Sequence, residues 1–247
     1  MKNQKKKEKQ EDYSKHRRRW QREDILQLSH HFHKITTSGE QYTRTSEFRM
    51  SKDGVEKFDK MKNNIAHIEI HLGLKKRDKK KQTFFPILKV IGKEGREDYF
   101  KLDPIENLEE RDRSTAEVPD VFKEMICKNW DEIDVHLIDD LFTARKKEEV
   151  NGKKVESTVR VLHYKVNDTM IETVIQKLKG IHGITLYSGV DMNKFPNKEL
   201  ISFTPVLGFK YKERNENKET LGLKGVLEFL DGKEAFVEYS SPCPPTC

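Results

Sequence analysis

The feature that most constrains this chain is a pattern that occurs twice. Residues 41–74 laid over residues 157–190, an offset of 116, agree at apolar and turn positions. Arg44 falls on Arg160, Phe48 on Tyr164, Met50 on Val166, Val55 on Ile171, Phe58 on Val174 and Ile65 on Ile181. Ile68, Ile70, Gly73 and Leu74 then fall on Ile184, Leu186, Gly189 and Val190. A loop longer by three residues changes the offset to 119 and brings residues 83–88 onto 202–207, so that Pro86 meets Pro205. A hydrophobic pattern kept over this length asks for the same buried elements in both places.

Each copy reads as strand, helix, strand, loop, strand. The helix is carried by Val55, Phe58 and Met61 in one copy and by Ile171, Val174, Ile175 and Leu178 in the other, behind the N-cap candidates Ser51 and Asn167. The next strand alternates, with Ile68, Ile70, Leu72 and Leu74 on one face and His67, Glu69 and His71 on the other. Closing strands are expected at residues 99–102 and 236–239, and an added strand or hairpin within residues 221–230. Ahead of the first copy, Ile25, Leu28, Phe32 and Ile35 have the spacing of one helical face, and residues 117–147 read as two helices ahead of the second. The expected fold class is therefore α+β: internally duplicated strand-helix-strand-strand units with mainly antiparallel sheet, each preceded by helix. The division that follows is a basic flexible tail (1–22), a first repeat (23–112), a helical connector (113–150), a second repeat (151–239) and a Pro/Cys terminal peptide (240–247).

The 247 residues, 34% of them hydrophobic, suffice for a sizeable core. No stretch approaches the roughly 18 apolar residues of a spanning helix, and no apolar run follows the charged start. Three cysteines supply no disulfide framework for a chain of this size. The expectation is a cytoplasmic protein with no membrane partner. The net charge of +6 has a definite place: residues 1–22 hold ten basic side chains against three acidic ones, and the remaining 225 residues sum to −1.

The candidate sites follow from these patterns. Lys5, Lys6, Lys7, Arg17, Arg18 and Arg19 in the tail, with Lys75, Lys76, Arg77, Lys79, Lys80 and Lys81 in the loop between two strands, are candidate phosphate contacts, and Trp20 is a ring able to stack on a base. His67, Glu69 and His71 share one strand face and are weak candidate metal ligands, with His163 or His182 as a fourth group. Their counterparts Gly183, Thr185 and Tyr187 cannot form such a set, which favours a solvent-facing row and no metal. His30, His31 and His33 are expected to be surface histidines fanned around a helix. No phosphate-binding glycine loop, nucleophile elbow or zinc-protease motif occurs, so no catalytic residue is assigned and no cofactor is expected.

The chain ends in Ser241-Pro-Cys243-Pro-Pro-Thr-Cys247. With the Tyr187-x-Gly189-Val-Asp strand and the Phe203-Thr-Pro-Val-Leu207 strand, this C-terminal part resembles uncharacterised small proteins of Bacteroidetes-type bacteria that end in Cys-Pro-Pro-x-Cys. That resemblance implies a bacterial source and carries no activity with it. Cys243 and Cys247 are read as reactive thiols on a stiff peptide: a docking peptide, a reversible disulfide loop, or half of a metal site completed by a partner. The leading functional expectation is a non-catalytic binding or scaffold protein with two related α+β surfaces and an unknown protein partner. The alternative is a nucleic-acid-binding accessory protein, non-specific for sequence, acting through the tail and the 75–81 loop; the third is a metal-dependent enzyme.

Overall fold

The computed structural model describes residues 13–35, 42–78, 81–105, 121–134, 137–191, 202–214, 226–228, 234–237 and 240–243. Helix α1 (Ser14–Arg22) leads through a 3-10 segment (Ile25–His31) into the short hairpin β1 (His33–Ile35) and β2 (Tyr42–Arg44). There follow β3 (Glu47–Met50), α2 (Lys52–Met61), β4 (Ile65–Leu74), β5 (Phe84–Gly92) and β6 (Glu97–Pro104). The second half opens with α3 (Val121–Glu132) and the single turn α4 (Ile138–Leu141), then the long hairpin β7 (Thr143–Val150) and β8 (Lys153–Arg160). It continues through β9 (His163–Val166), α5 (Asp168–Thr173), β10 (Leu178–Lys179), β11 (Gly183–Asp191) and β12 (Ser202–Lys210). Four short strands complete it: β13 (Glu213–Arg214), β14 (Val226–Glu228), β15 (Glu234–Val237) and β16 (Ser240–Cys243). Every pairing among the described strands is antiparallel, and the fold is α+β.

The main sheet runs β14-β15-β12-β11-β3-β6-β5-β4-β9-β16. Its two ends are covalently close, because only residues 238 and 239 lie between Val237 of β15 and Ser240 of β16. Three Cα steps reach at most about 11 Å. β15 is paired with β12 and β16 with β9, so the sheet must curl until these two strands approach each other, and it takes the form of a barrel whose ends no hydrogen-bonded pair joins among the described residues. β6 bridges in the same manner on the opposite side, its first half paired with β5 and its last residues with β3.

The registers on the two sides correspond. Phe48 of β3 lies opposite Leu186 of β11, and Tyr164 of β9 lies opposite Ile70 of β4. Pro86 is opposite Leu72, the residue before Gly73, and Pro205 is opposite Ser188, the residue before Gly189. Ser51 and Asn167 cap α2 and α5 through Oγ and Oδ1, accepting from the Gly54 and Thr169 amides.

The barrel interior is filled from both halves, by Ile68, Ile70 and Leu72 of β4, Ile184 and Leu186 of β11, and Leu88, Leu102 and Leu207. One end is closed by α2 and the α5 region, where Phe58 packs between Phe100 and Phe209. The other end holds an aromatic cluster, with Phe32 and Phe142 stacked at 5.1 Å, Trp130 set edge-on to Phe32 and Trp20 edge-on to Phe142. Phe84 and Phe203 lie beneath, each against one of the stacked rings.

Several expectations are corrected. The flexible tail does not extend to residue 22, because α1 begins at Ser14 and buries Trp20. The helix expected from Ile25 to Ile35 is a 3-10 segment followed by a strand, and Phe32 enters the aromatic cluster. The second connector helix stops at Leu141, and residues 143–150 are instead a strand of a hairpin turned by Asn151 and Gly152, both at positive φ (54° and 76°). Residues 240–243 of the terminal peptide are a barrel strand, with Cys243 in register with His163. Cys247 lies outside the described residues.

Candidate nucleic-acid interface

Helix α1 has two unlike faces. Tyr13 at its cap, His16, Arg17 and Trp20 are spaced to lie on one side, and Lys15, Arg18, Arg19 and Arg22 lie on the other. The first set docks on the barrel. Trp20 is buried and its indole N–H donates to the Val161 carbonyl at 2.8 Å. Arg160 stands over the Trp20 ring and donates to the carbonyls of Trp20 and Glu23, closing the C-terminal end of the helix. His16 Nδ1 donates to the Leu74 carbonyl at 2.9 Å, and its ring meets Phe85 edge-on. Arg17 lies over the Tyr99 ring.

The second set faces outward. Lys15, Arg18 and Arg22 are exposed and Arg19 is half-buried. None of these cations has a carboxylate partner among the described residues. At 1.5 Å per residue they span about 10 Å along the helix. The basic loop after β4 is held to β5 and to the 3-10 segment that follows α1. Lys75 donates its amide to the Thr83 carbonyl, its ammonium lies over Phe85, and Arg77 donates to Gln27 of the 3-10 segment at 3.0 Å. Lys75, Lys76, Arg77 and Lys81 are exposed. Lys79, Lys80, Lys5, Lys6 and Lys7 lie outside the described residues.

Of the candidate residues, Arg18 and Arg19 thus stand on the outer side of α1, and Lys75, Lys76, Arg77 and Lys81 are exposed on the loop tied to the 3-10 segment that follows it. Trp20 is removed from any role in stacking, since its ring belongs to the aromatic cluster. Lys15 and Arg22 were not singled out by sequence, although their spacing with Arg18 and Arg19 carried the signal. Arg44 and Arg160 were also missed as anchors. Arg44 donates to the Trp130 and Ile133 carbonyls at the end of α3, as Arg160 does at the end of α1. The Trp130 indole donates to Thr45 as that of Trp20 does to Val161.

The row expected to face solvent on β4 is divided. His67 turns to Asp168 at 2.8 Å, whereas Glu69 and His71 are bound to each other at 2.7 Å, and His71 is only 9% exposed. His163 of β9 stacks on His71 at 4.8 Å, and Lys89 lies 3.4 Å from Glu69 and 2.9 Å from Glu97. Burial holds the His71 pKa below that of a free imidazole in spite of Glu69, and burial together with the His71 charge does the same to His163. The His71 hydrogen bond, with Lys89 beside it, pulls Glu69 down to about 2. Among the described residues no three such side chains are placed to hold a metal ion. His31 and His33 are buried rather than on the surface. Beside His71 an open groove of about 280 Å³ runs between α1 and the start of β9, lined by Arg17, Arg18, Gln21, His71 and Leu162.

Comparison with protein-family models, curated proteins and solved structures finds no match to this chain. No helix among the described residues is long and apolar enough to cross a membrane.

Proposed function

We propose that this chain is a non-catalytic cytoplasmic binding protein, built by internal duplication, whose contact surface is the basic side of α1 with the 75–81 loop and whose ligand is nucleic acid. The duplication is supported by the exchanged registers: each half lends its first strand to the second strand of the other, at matching residues. The reading of the ligand rests on one observation. Lys15, Arg18, Arg19 and Arg22 form a single outward row on a helix fixed to the barrel by its opposite face, and a second basic segment is tied to the 3-10 segment that follows the helix.

A row of cations with no carboxylate partner among the described residues recognises the phosphate backbone through its charge and releases counterions on binding. It reads no bases, so binding is insensitive to sequence. The basic tail directly precedes α1 in the sequence. The test is a fluorescence anisotropy titration of labelled 20-nucleotide single strands and duplexes of unrelated sequence at low salt. The full chain binds all of them with similar affinity, and Arg18→Glu/Arg22→Glu weakens binding at least tenfold without altering the circular dichroism. Equal binding by the variant, or none by the full chain, overturns the reading.

A further inference from the structure

The two helix-on-barrel seams do the same packing work with different chemistry. Counting from the shared tryptophans, α3 carries Ile126 and Cys127 where α1 carries His16 and Arg17. Under α3, Ile126 packs with Tyr187, Val206 and Phe236 in an apolar cluster. Under α1 the corresponding strand positions hold His71 in place of Tyr187, Glu69 in place of Thr185, and Lys89 opposite Tyr99 where Gly208 stands opposite Phe236. Drawing charges out of water is costly, and an apolar seam serves as well for holding a helix down. The charged seam therefore does something that packing alone does not require.

What it adds is an open groove with cationic walls. Arg17 and Arg18 line it with Gln21, and His71 lies at its floor, stacked on His163. The Arg17 Nε is enclosed yet has no hydrogen-bond partner among the described residues. A buried donor left unmet is an opening for an acceptor. From these observations we infer that the groove between α1 and β9 is a phosphate-binding site, in which Arg17, Arg18 and Gln21 donate to the oxygens of one phosphate group above the His71 ring. The inference rests on the nucleic-acid reading for its ligand: the groove adjoins the outward row through Arg18, and the phosphate at the end of a strand, or a free phosphate, fits its chemistry.

The facing groups set how the site responds to pH. Arg17 on α1, Glu69 and His71 on β4, Lys89 on β5, Glu97 and Tyr99 on β6 and His163 on β9 are in contact as one network. At neutral pH both stacked imidazoles are uncharged, and protonating either adds a positive charge beside the groove. Anion binding tightens as pH falls.

The test follows the imidazole proton resonances of His71 and His163 in the full chain by NMR while inorganic phosphate is added at about pH 7, with sulfate, whose charge stays constant, as the probe as the pH is lowered until the rings titrate. The inference expects saturable shifts of both rings, loss of at least tenfold in affinity in Arg17→Met, and tighter sulfate binding at the lower pH. A parallel titration compares an oligonucleotide with and without a 5′-phosphate, and the phosphorylated strand binds about tenfold tighter when the group gains one charge-assisted contact set. Shifts that do not saturate, or that persist in Arg17→Met, overturn the site. Saturable phosphate binding with equal affinity for the two oligonucleotides restricts the ligand to a free phosphate and overturns the strand-end assignment. Failure of the oligonucleotides to bind at all, with phosphate still saturating, counts against the basic row and not against the groove.

Discussion

Gly189 leaves a single methyl group less room than Gly54 or Gly73. A Cβ there would stand 2.5–2.7 Å from three atoms of Ile126, so the strand and α3 touch through the glycine itself. Gly189→Ala is expected to cost about 1–3 kcal/mol, the usual penalty of overpacking, and Ile126→Val in the same background to restore part of it. Urea unfolding of the two variants decides this, and an unchanged midpoint in Gly189→Ala would show that α3 is not seated there. His33 contributes to the acid response. Its Nδ1–H donates to the Ser29 carbonyl and its Nε2 accepts from Arg44, an arrangement that exists only for the neutral ring, and burial lowers its pKa to about 4. Because the folded pKa lies below the unfolded value of 6.5, the unfolded chain takes up the proton first. The contribution of His33 is therefore complete above pH 6.5 and is lost as pH falls toward 4. Melting temperature measured across that window should fall with pH, less steeply in His33→Gln. An identical slope in the variant would place the titration elsewhere.

The elements were partly legible in the sequence. Both strand-helix-strand runs could be read, because the period of Val55, Phe58 and Met61 and the alternation of Ile68, Ile70 and Leu72 are local signals, as are the caps Ser51 and Asn167. Helix α1 was hidden within a charge run, since its docking face has only Tyr13 and Trp20 as apolar members and completes itself with His16 and Arg17. The 25–35 segment misled through its spacing: Leu28 and Phe32 are buried for the aromatic cluster, but Ile25 is 36% exposed. The two arginine anchors offer a test at this scale. Arg160→Met and Arg44→Met should each cost about 1.5–3 kcal/mol, since each strips helix-end carbonyls of a charged donor. Only Arg160→Met should also weaken nucleic-acid binding, because only α1 carries the basic row. Equal loss of binding in both variants would mean that the barrel as a whole, and not the seat of α1, sets the surface.

At the scale of the whole molecule, strand exchange joins the two halves and was invisible to sequence, because no local pattern states that β3 pairs with β11 and β9 with β4. Neither half closes a sheet alone. Residues 1–112 and 113–247 expressed separately should lack a cooperative unfolding transition and regain one when mixed; a cooperative transition in either fragment would contradict the exchange. The proposed role also belongs to this scale, since it needs the loop after β4, the 3-10 segment and α1 held together by the barrel. It is tested most directly by the salt dependence of binding. Each phosphate neutralised contributes about 0.9 to the slope of log K against log salt for duplex DNA. The full chain should bind duplex with a steep slope, and replacing Lys15, Arg18, Arg19 and Arg22 by glutamine should lower that slope by about 3 to 4. A slope unchanged by the replacement would contradict the assignment of this face.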